Sequence, residues 1–175
     1  MKNPSYTIFD NALPFVDRAS LYNNFFSTKW NVRGVWIDKN DIEKINPLYK
    51  LMILAGKVFD FSEFSGVEVW THNLTAVHFH YDKDEYVFET SGQYILPMCS
   101  LIYYLDIDLP DLNIENFKDS LHSPDVMIVP KDNRLVIMAP GIIHGSNRGR
   151  DGIRRLIGIA PWVNKPESLP YYTFR

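Results

Sequence analysis

The sequence predicts a mainly β domain, a barrel or jelly roll, with helices packed outside it. Three observations carry this reading. The chain has 175 residues, the size of one ordinary domain, and is 46% hydrophobic and 14% aromatic, enough for a core without disulfides. Up to about residue 65 the apolar positions fall at helical spacing. From Gly66 onward the texture changes to short runs rich in β-branched and aromatic residues, cut by turn signals such as "PKDN", "PG" and "GRDG". Antiparallel scaffolds of this kind often hold a ligand at the mouth of the barrel.

Taken in order, "NALPFVDRASLYNNFFSTKW" reads as a proline turn followed by an amphipathic helix, with Phe15, Leu21, Phe25 and Phe26 near helical spacing. A second helix is expected over "NPLYKLMILAGKVFDF". Asn46 is placed to cap it, and Pro47 sits where a first-turn proline is tolerated. The strands are expected in "VEVWTHNLTAVHFH", "CSLIYYLDIDL", "DVMIVP", "RLVIMAP" and "RRLIGIAPW". The chain is thus read as one domain: residues 1–65 a mostly helical support, 66–162 the β core, 163–175 a C-terminal tail. Residues 83–97, "KDE" and "YVFETSGQYILP" among them, are expected to form a flap, because loops beside a site commonly close over it.

Composition narrows the function. Formal net charge is -3 and the 18 basic residues are scattered, so nucleic acid is disfavoured as a partner. Cys99 is the only cysteine and cannot bridge internally. The start, "KNPSYTIFD", has no apolar leader, and no stretch approaches the ~20 apolar residues of a membrane span. The expectation is a soluble, cytoplasmic protein with no membrane partner.

The chemistry concentrates in residues 78–89, "HFHYDKDEYVFE". In a strand, alternation puts His78, His80 and Asp82 on one face. A further histidine, His144, lies 64 residues beyond His80, after a Pro-Gly turn between two apolar runs. Brought beside His80 and Asp82, it would complete two histidines and a carboxylate, a facial set that suits Fe(II) and leaves coordination positions open. Ten residues later, Arg154 opens the apolar run "RRLIGIA". A guanidinium there is costly unless an anion meets it.

The ordered set "HYD", "IYYLD", "P-x(9)-P-G-x-x-H-G" and "G-x-R" resembles the Fe(II)/2-oxoglutarate-dependent oxygenases, especially their prolyl-hydroxylase-like branch, over about residues 66–162. The resemblance implies a double-stranded β-helix. It implies His80, Asp82 and His144 as iron ligands, and Arg154 as the partner of the distal carboxylate of 2-oxoglutarate, with Tyr104 beside it. Strand alternation adds Ser100 and Ile102 on Tyr104's face. The implied cofactors are Fe(II), 2-oxoglutarate as cosubstrate and O2, with ascorbate as a reductant. The implied reaction is hydroxylation of an amino acid, a proline-like peptidyl residue or a small metabolite. Asp82 favours hydroxylation over halogenation, since related halogenases lack the carboxylate. Two segments depart from the family pattern: "WTHNLTAV" replaces the usual Tyr-x-x-Gly stretch, and "LHSPDVMIVP" replaces a Gly-Gly-x-Thr-like one. Arg155 is expected to face away from Arg154, toward the surface.

A second pattern overlaps the first. His78-x-His80, four residues, Glu85, six residues, Gly92 is the spacing of the first cupin motif. In that reading His78, His80, Glu85 and His144 hold the metal without 2-oxoglutarate. His72 stands where the cupin pattern wants glycine, and neither Arg154 nor Tyr104 has a role. With Asp82 preferred over Glu85, His78 is left to line the pocket or support a ligand.

Overall fold

The computed structural model describes residues 5–26, 34–72, 77–108, 115–118, 126–146 and 153–174, with 107–108, 115–118, 126–127, 146 and 153–154 described by backbone alone. The elements run β1 (Tyr6–Asp10), α1 (Phe15–Phe25), β2 (Val35–Asp38), a 3-10 helix (Lys39–Lys44), α2 (Asn46–Ala55), β3 (Gly66–His72), β4 (Val77–His80), α3 (Glu85–Ser91), β5 (Ser100–Asp108), β6 (Glu115–Lys118), β7 (Val126–Ile128), β8 (Arg134–Met138), β9 (Ile143–Ser146) and β10 (Ile153–Trp162). They form a six-stranded sheet, β1-β8-β5-β10-β3-β2, and a four-stranded sheet, β4-β9-β6-β7. Every strand pair in the two sheets is antiparallel.

Alternation in the central strands of the large sheet sorts its side chains into two layers. Leu101 and Tyr103 of β5, Leu135 and Ile137 of β8, and Ile157 and Ile159 of β10 join one apolar cluster with Leu21 and Phe25 of α1 and Leu48, Leu51, Met52 and Ala55 of α2. The two helices therefore seal one face. Ile102, Tyr104, Val136, Met138 and Leu156 point the other way and meet Ile128 from the small sheet. This second face carries the site.

The N-terminal part, expected to be mostly helical, also supplies β1 and β2, the two edge strands of the large sheet. Two expectations are corrected. Asn46 does not cap α2; Ile45 holds that position, and the Asn46 side chain reaches Asp17 at 3.5 Å instead. The stretch expected as a flap contains a helix, α3, whose start is capped by Asp84 accepting from the Val87 N–H at 3.1 Å. No residue of α3 is buried.

Candidate metal centre

His80 ends β4 and His144 lies in β9, and the two are direct partners in the antiparallel register. Their rings stand 4.5 Å apart, centroid to centroid. The pairing explains how residues 64 positions apart in sequence meet. It depends on a local irregularity, because the register shifts between Val77 and His80. Gly145 lets the strands approach there: a Cβ on it would fall 2.8 Å from the Val77 carbonyl oxygen and 2.9 Å from the Phe79 nitrogen. Asp82 follows β4 by two residues and turns back to both rings, at 3.5 Å from His80 Nε2 and 3.7 Å from His144 Nε2. Potential ligand atoms of the three residues all lie within 4.8 Å of one another, and among the described residues this is the one such cluster.

The surroundings orient each group. His80 Nδ1 contacts the His78 carbonyl oxygen at 2.7 Å, and His144 Nδ1 contacts that of Ile142 at 3.1 Å. A carbonyl can only accept, so Nδ1 carries the proton and Nε2 is the atom that turns toward Asp82. Asp82 Oδ2 is buried and has no hydrogen-bond partner among the described residues. A buried carboxylate oxygen left in that state is costly unless a cation meets it. Two Nε2 atoms and an orphaned carboxylate oxygen converging on one point fit a divalent transition metal.

Protonation behaviour follows from burial and mutual charge. Burial would raise the Asp82 carboxyl, yet His80, His144 and the Ser100 hydroxyl hold it below the usual range. Burial depresses His144, and the Asp82 charge only partly offsets this. Burial also pulls His80 down, but Asp82 and the His78 carbonyl outweigh it and leave it raised. The site thus favours an ionised aspartate and a neutral His144, the forms that bind metal.

The other expected residues fall into place unevenly. Ser100 is buried and adjoins Asp82. Ile102 and Tyr104 line the face between the sheets, with Tyr104 wholly buried. Arg154 pairs in register with Ile107 on β5; its side chain lies outside the described residues. Arg155 makes an ion pair with Asp106, and its guanidinium lies 5.4 Å from the Tyr22 ring of α1, so it lies on the helix side of the sheet, partly buried, rather than at the open surface expected from the sequence. A register shift between Arg155 and Leu156 leaves Leu105 as an extra residue in β5. Glu85 does not join the cluster: its side chain is 62% exposed and bonds Lys83 at 2.8 Å. The four-ligand cupin arrangement is therefore absent among the described residues. His78 is exposed and serves His80 through its backbone carbonyl rather than its ring.

Sequence reading missed the neighbouring face of β3. Glu68, Trp70 and His72 line a cleft of about 300 Å³ together with His80 and Asp82. The Trp70 indole folds across Gly158, where a Cβ would fall 2.0 Å from the ring. Burial, then the Asp82 charge, pushes the Glu68 carboxyl up to about 8. The available signal was alternation in "VEVWTH", which sets Glu68, Trp70 and His72 on one face.

By fold the chain is similar to the prolyl-hydroxylase branch of the 2OG-Fe(II) oxygenases. The viral collagen prolyl hydroxylase of Paramecium Bursaria Chlorella virus-1, solved as a 2OG complex, superposes with a TM-score of 0.60 at 15% identity, over 92% of this chain and 97% of that one. A Pseudomonas putida prolyl-4-hydroxylase gives 0.60 at 14% identity, over 90% and 92%. A Burkholderia pseudomallei oxidoreductase of the 2OG-Fe(II) oxygenase family gives 0.59 at 9% identity, over 91% and 86%. No protein-family model and no curated protein matches the sequence.

Proposed function

We propose that the protein is an Fe(II)- and 2-oxoglutarate-dependent dioxygenase built on a double-stranded β-helix, and that it hydroxylates an amino acid, a peptidyl residue or a small metabolite. The observation that carries this reading is the convergence of His80, Asp82 and His144, with both Nδ1 atoms turned to backbone carbonyls and a buried carboxylate oxygen left unpaired. The fold shared with prolyl hydroxylases supports it.

In this reading His80, Asp82 and His144 would hold Fe(II) and leave coordination positions for other ligands. Once bound, Fe(II), 2-oxoglutarate and O2 supply the oxidising power: a substrate C–H becomes C–OH while 2-oxoglutarate becomes succinate and CO2. The chain supplies position. Ser100 adjoins Asp82 and helps keep it ionised. Arg154, with Tyr104, is assigned to the distal carboxylate of 2-oxoglutarate, where a guanidinium can make two parallel charge-assisted bonds. A cytoplasmic setting belongs to the same proposal. Among the described residues no helix is long and apolar enough to cross a membrane.

An anaerobic Fe(II) titration, with and without 2-oxoglutarate, tests the reading. A weak visible charge-transfer band should appear only when both are present. With oxygen and ascorbate, slow succinate formation should follow even without substrate. A folded, iron-loaded protein that neither binds 2-oxoglutarate nor forms succinate overturns it.

A further inference from the structure

Between Asp82 and Met98 the chain makes an excursion that closes on itself. Asp84 is only 6% exposed, and its N–H donates to the Ile95 carbonyl at 2.9 Å, which joins the two ends. Between them stands α3, none of whose residues is buried. Among the described residues no strand or helix packs substantially against α3. The hydrogen bonds of the excursion stay inside it: Asp84 accepts from the Val87 N–H, Thr90 and Ser91 donate back to the Tyr86 and Val87 carbonyls, and Lys83 bonds Glu85 at 2.8 Å. Its rings behave likewise, Phe88 lying 4.7 Å from Tyr94 and 4.6 Å from the Lys83 ammonium. A loop with joined ends, packed on its own side chains, can move as one piece about the few residues of its neck.

The neck leads to the metal cluster. Lys83 follows Asp82 directly, and on the return side the Met98 N–H donates to the Pro161 carbonyl at 2.8 Å and ties the chain to β10. α3 is one wall of a groove of about 510 Å³, which shares Glu68, Lys83 and Glu85 with the cleft at His80 and Asp82. The other wall is the C-terminal tail, at Pro166, Leu169 and Pro170. Unlike α3, the tail is anchored. The Trp36 N–H donates to the Pro170 carbonyl at 2.7 Å, the Tyr172 N–H donates to that of Trp36 at 2.8 Å, and Leu169 packs on the buried Trp36 and Trp162. Tyr86 lines the groove from the α3 side and is 45% exposed. A free wall bearing an exposed tyrosine thus faces a fixed wall of one leucine and two prolines, and burial of apolar surface favours their meeting.

We propose that residues 84–95 form a lid, hinged at Lys83 and Leu96, which closes its Tyr86 side onto the C-terminal tail at Leu169 and covers the way from the groove to the His80, Asp82 and His144 cluster. The purpose of the lid rests on the oxygenase reading, since hydroxylation of a C–H bond is served by a site from which water is excluded. The closure itself needs no metal.

The test bridges the two walls in the full chain. Tyr86→Cys and Leu169→Cys are introduced together, the native Cys99 being wholly buried. A disulfide forms only when the two Cα atoms come within about 7 Å. Oxidised glutathione under nitrogen should bridge this pair in the metal-free protein. It should leave unbridged a control pair of Tyr86→Cys with Phe15→Cys, an exposed position on α1. Protein loaded with Fe(II) before bridging should then lose iron to the chelator ferrozine at least about tenfold more slowly than the same protein reduced, a factor equal to about 1.4 kcal/mol of barrier. Dithiothreitol should restore the faster rate. Should the double variant fail to fold, Ser168→Cys, at an exposed residue of the same wall, replaces Leu169→Cys. A pair that does not bridge overturns the proposal, as does a bridged protein that loses iron at the unbridged rate. A protein that takes up Fe(II) and 2-oxoglutarate but does not bridge leaves the oxygenase reading standing without the lid. A bridge that slows iron loss in a protein that ignores 2-oxoglutarate does the reverse.

Discussion

The two faces of the six-stranded sheet are built from the same strands and have opposite characters. Toward α1 and α2 the odd positions of β5 and β10, Leu101, Tyr103, Ile157 and Ile159, are wholly buried in apolar contact. On the other face, Ser100 and Glu68 sit beside His80 and Asp82. A sheet sealed on one side can tolerate polar and strained features on the other, because the apolar layer holds the backbone that positions them. Stability is expected to reside in the helix-side layer and the proposed chemistry on the other face, a division that mutation can break.

The largest effect should come from the ligand face. His80→Ala, Asp82→Ala and His144→Ala should each reduce Fe(II)-dependent succinate formation to background while the metal-free protein still folds. Loss of one of three protein ligands opens the site. Glu85→Ala should leave iron binding intact. If Glu85→Ala loses the metal and Asp82→Ala keeps it, the cupin-like arrangement replaces this one.

The opposite result is expected across the sheet. Leu101→Ala leaves a cavity among fully buried neighbours, so it should destabilise the fold by about 2–5 kcal/mol in urea unfolding. At temperatures where the variant remains folded, its Fe(II) affinity should match the wild type. A variant that loses iron in proportion to stability would show that the two faces are not separable.

Adjacent arginines sharpen the contrast within one strand. Arg154→Leu should weaken 2-oxoglutarate binding about a hundredfold, since each charge-assisted bond contributes about 1.5–3 kcal/mol. Lysine at 154 should rescue only part of this, because a point charge lacks the two-pronged geometry. Arg155 is tied to Asp106 and Tyr22 on the helix side. Arg155→Leu should therefore leave 2-oxoglutarate affinity unchanged in calorimetry. A loss confined to Arg155→Leu would place the wrong arginine in the pocket.

These contrasts also show what could be read in the sequence. Runs such as "SLIYYLDID" and "RLVIM" announced β5 and β8 because both faces are buried and the runs are nearly continuous. The triad was readable because His80 and Asp82 are close in sequence and His144 follows a Pro-Gly turn. Their meeting was not derivable from spacing, since it rests on a strand pairing and a shift of register. Two edge strands, β1 and β2, are only five and four residues long, too short for alternation to stand out. The helix α3 was hidden by the β-favouring "YVF", although Asp84 before it and Gly92 after it are ordinary helix boundaries. Glu68 was overlooked because a lone acid in a strand reads as solvent-facing, and only the folded chain shows it lining a cleft with His80 and Asp82.

The smallest effect should appear at the far edge of the large sheet, away from both the helices and the triad. Asp10 at the end of β1 accepts from Arg134 Nε at 2.7 Å and from its terminal nitrogen at 3.0 Å, and Lys131 adds a bond at 3.1 Å. The Arg134 hydrogen bond, with help from Lys131, holds the Asp10 carboxyl down at about 2. A carboxyl depressed by folding stabilises the folded state above its ordinary range and loses that contribution as pH falls through the folded value. The difference in stability between wild type and Asp10→Asn should therefore be present at pH 7, shrink from about pH 4 downward, and vanish near pH 2. Because Asp10 is exposed to solvent, screening keeps the difference at pH 7 under about 1 kcal/mol. The histidines of the triad also gain protons over this range, but they do so in both proteins and cancel in the difference. Urea unfolding of the two proteins at pH 7, 4 and 2 measures it. A difference independent of pH would mean that the carboxylate charge contributes nothing and that β1 is held by its backbone pairing with β8 alone.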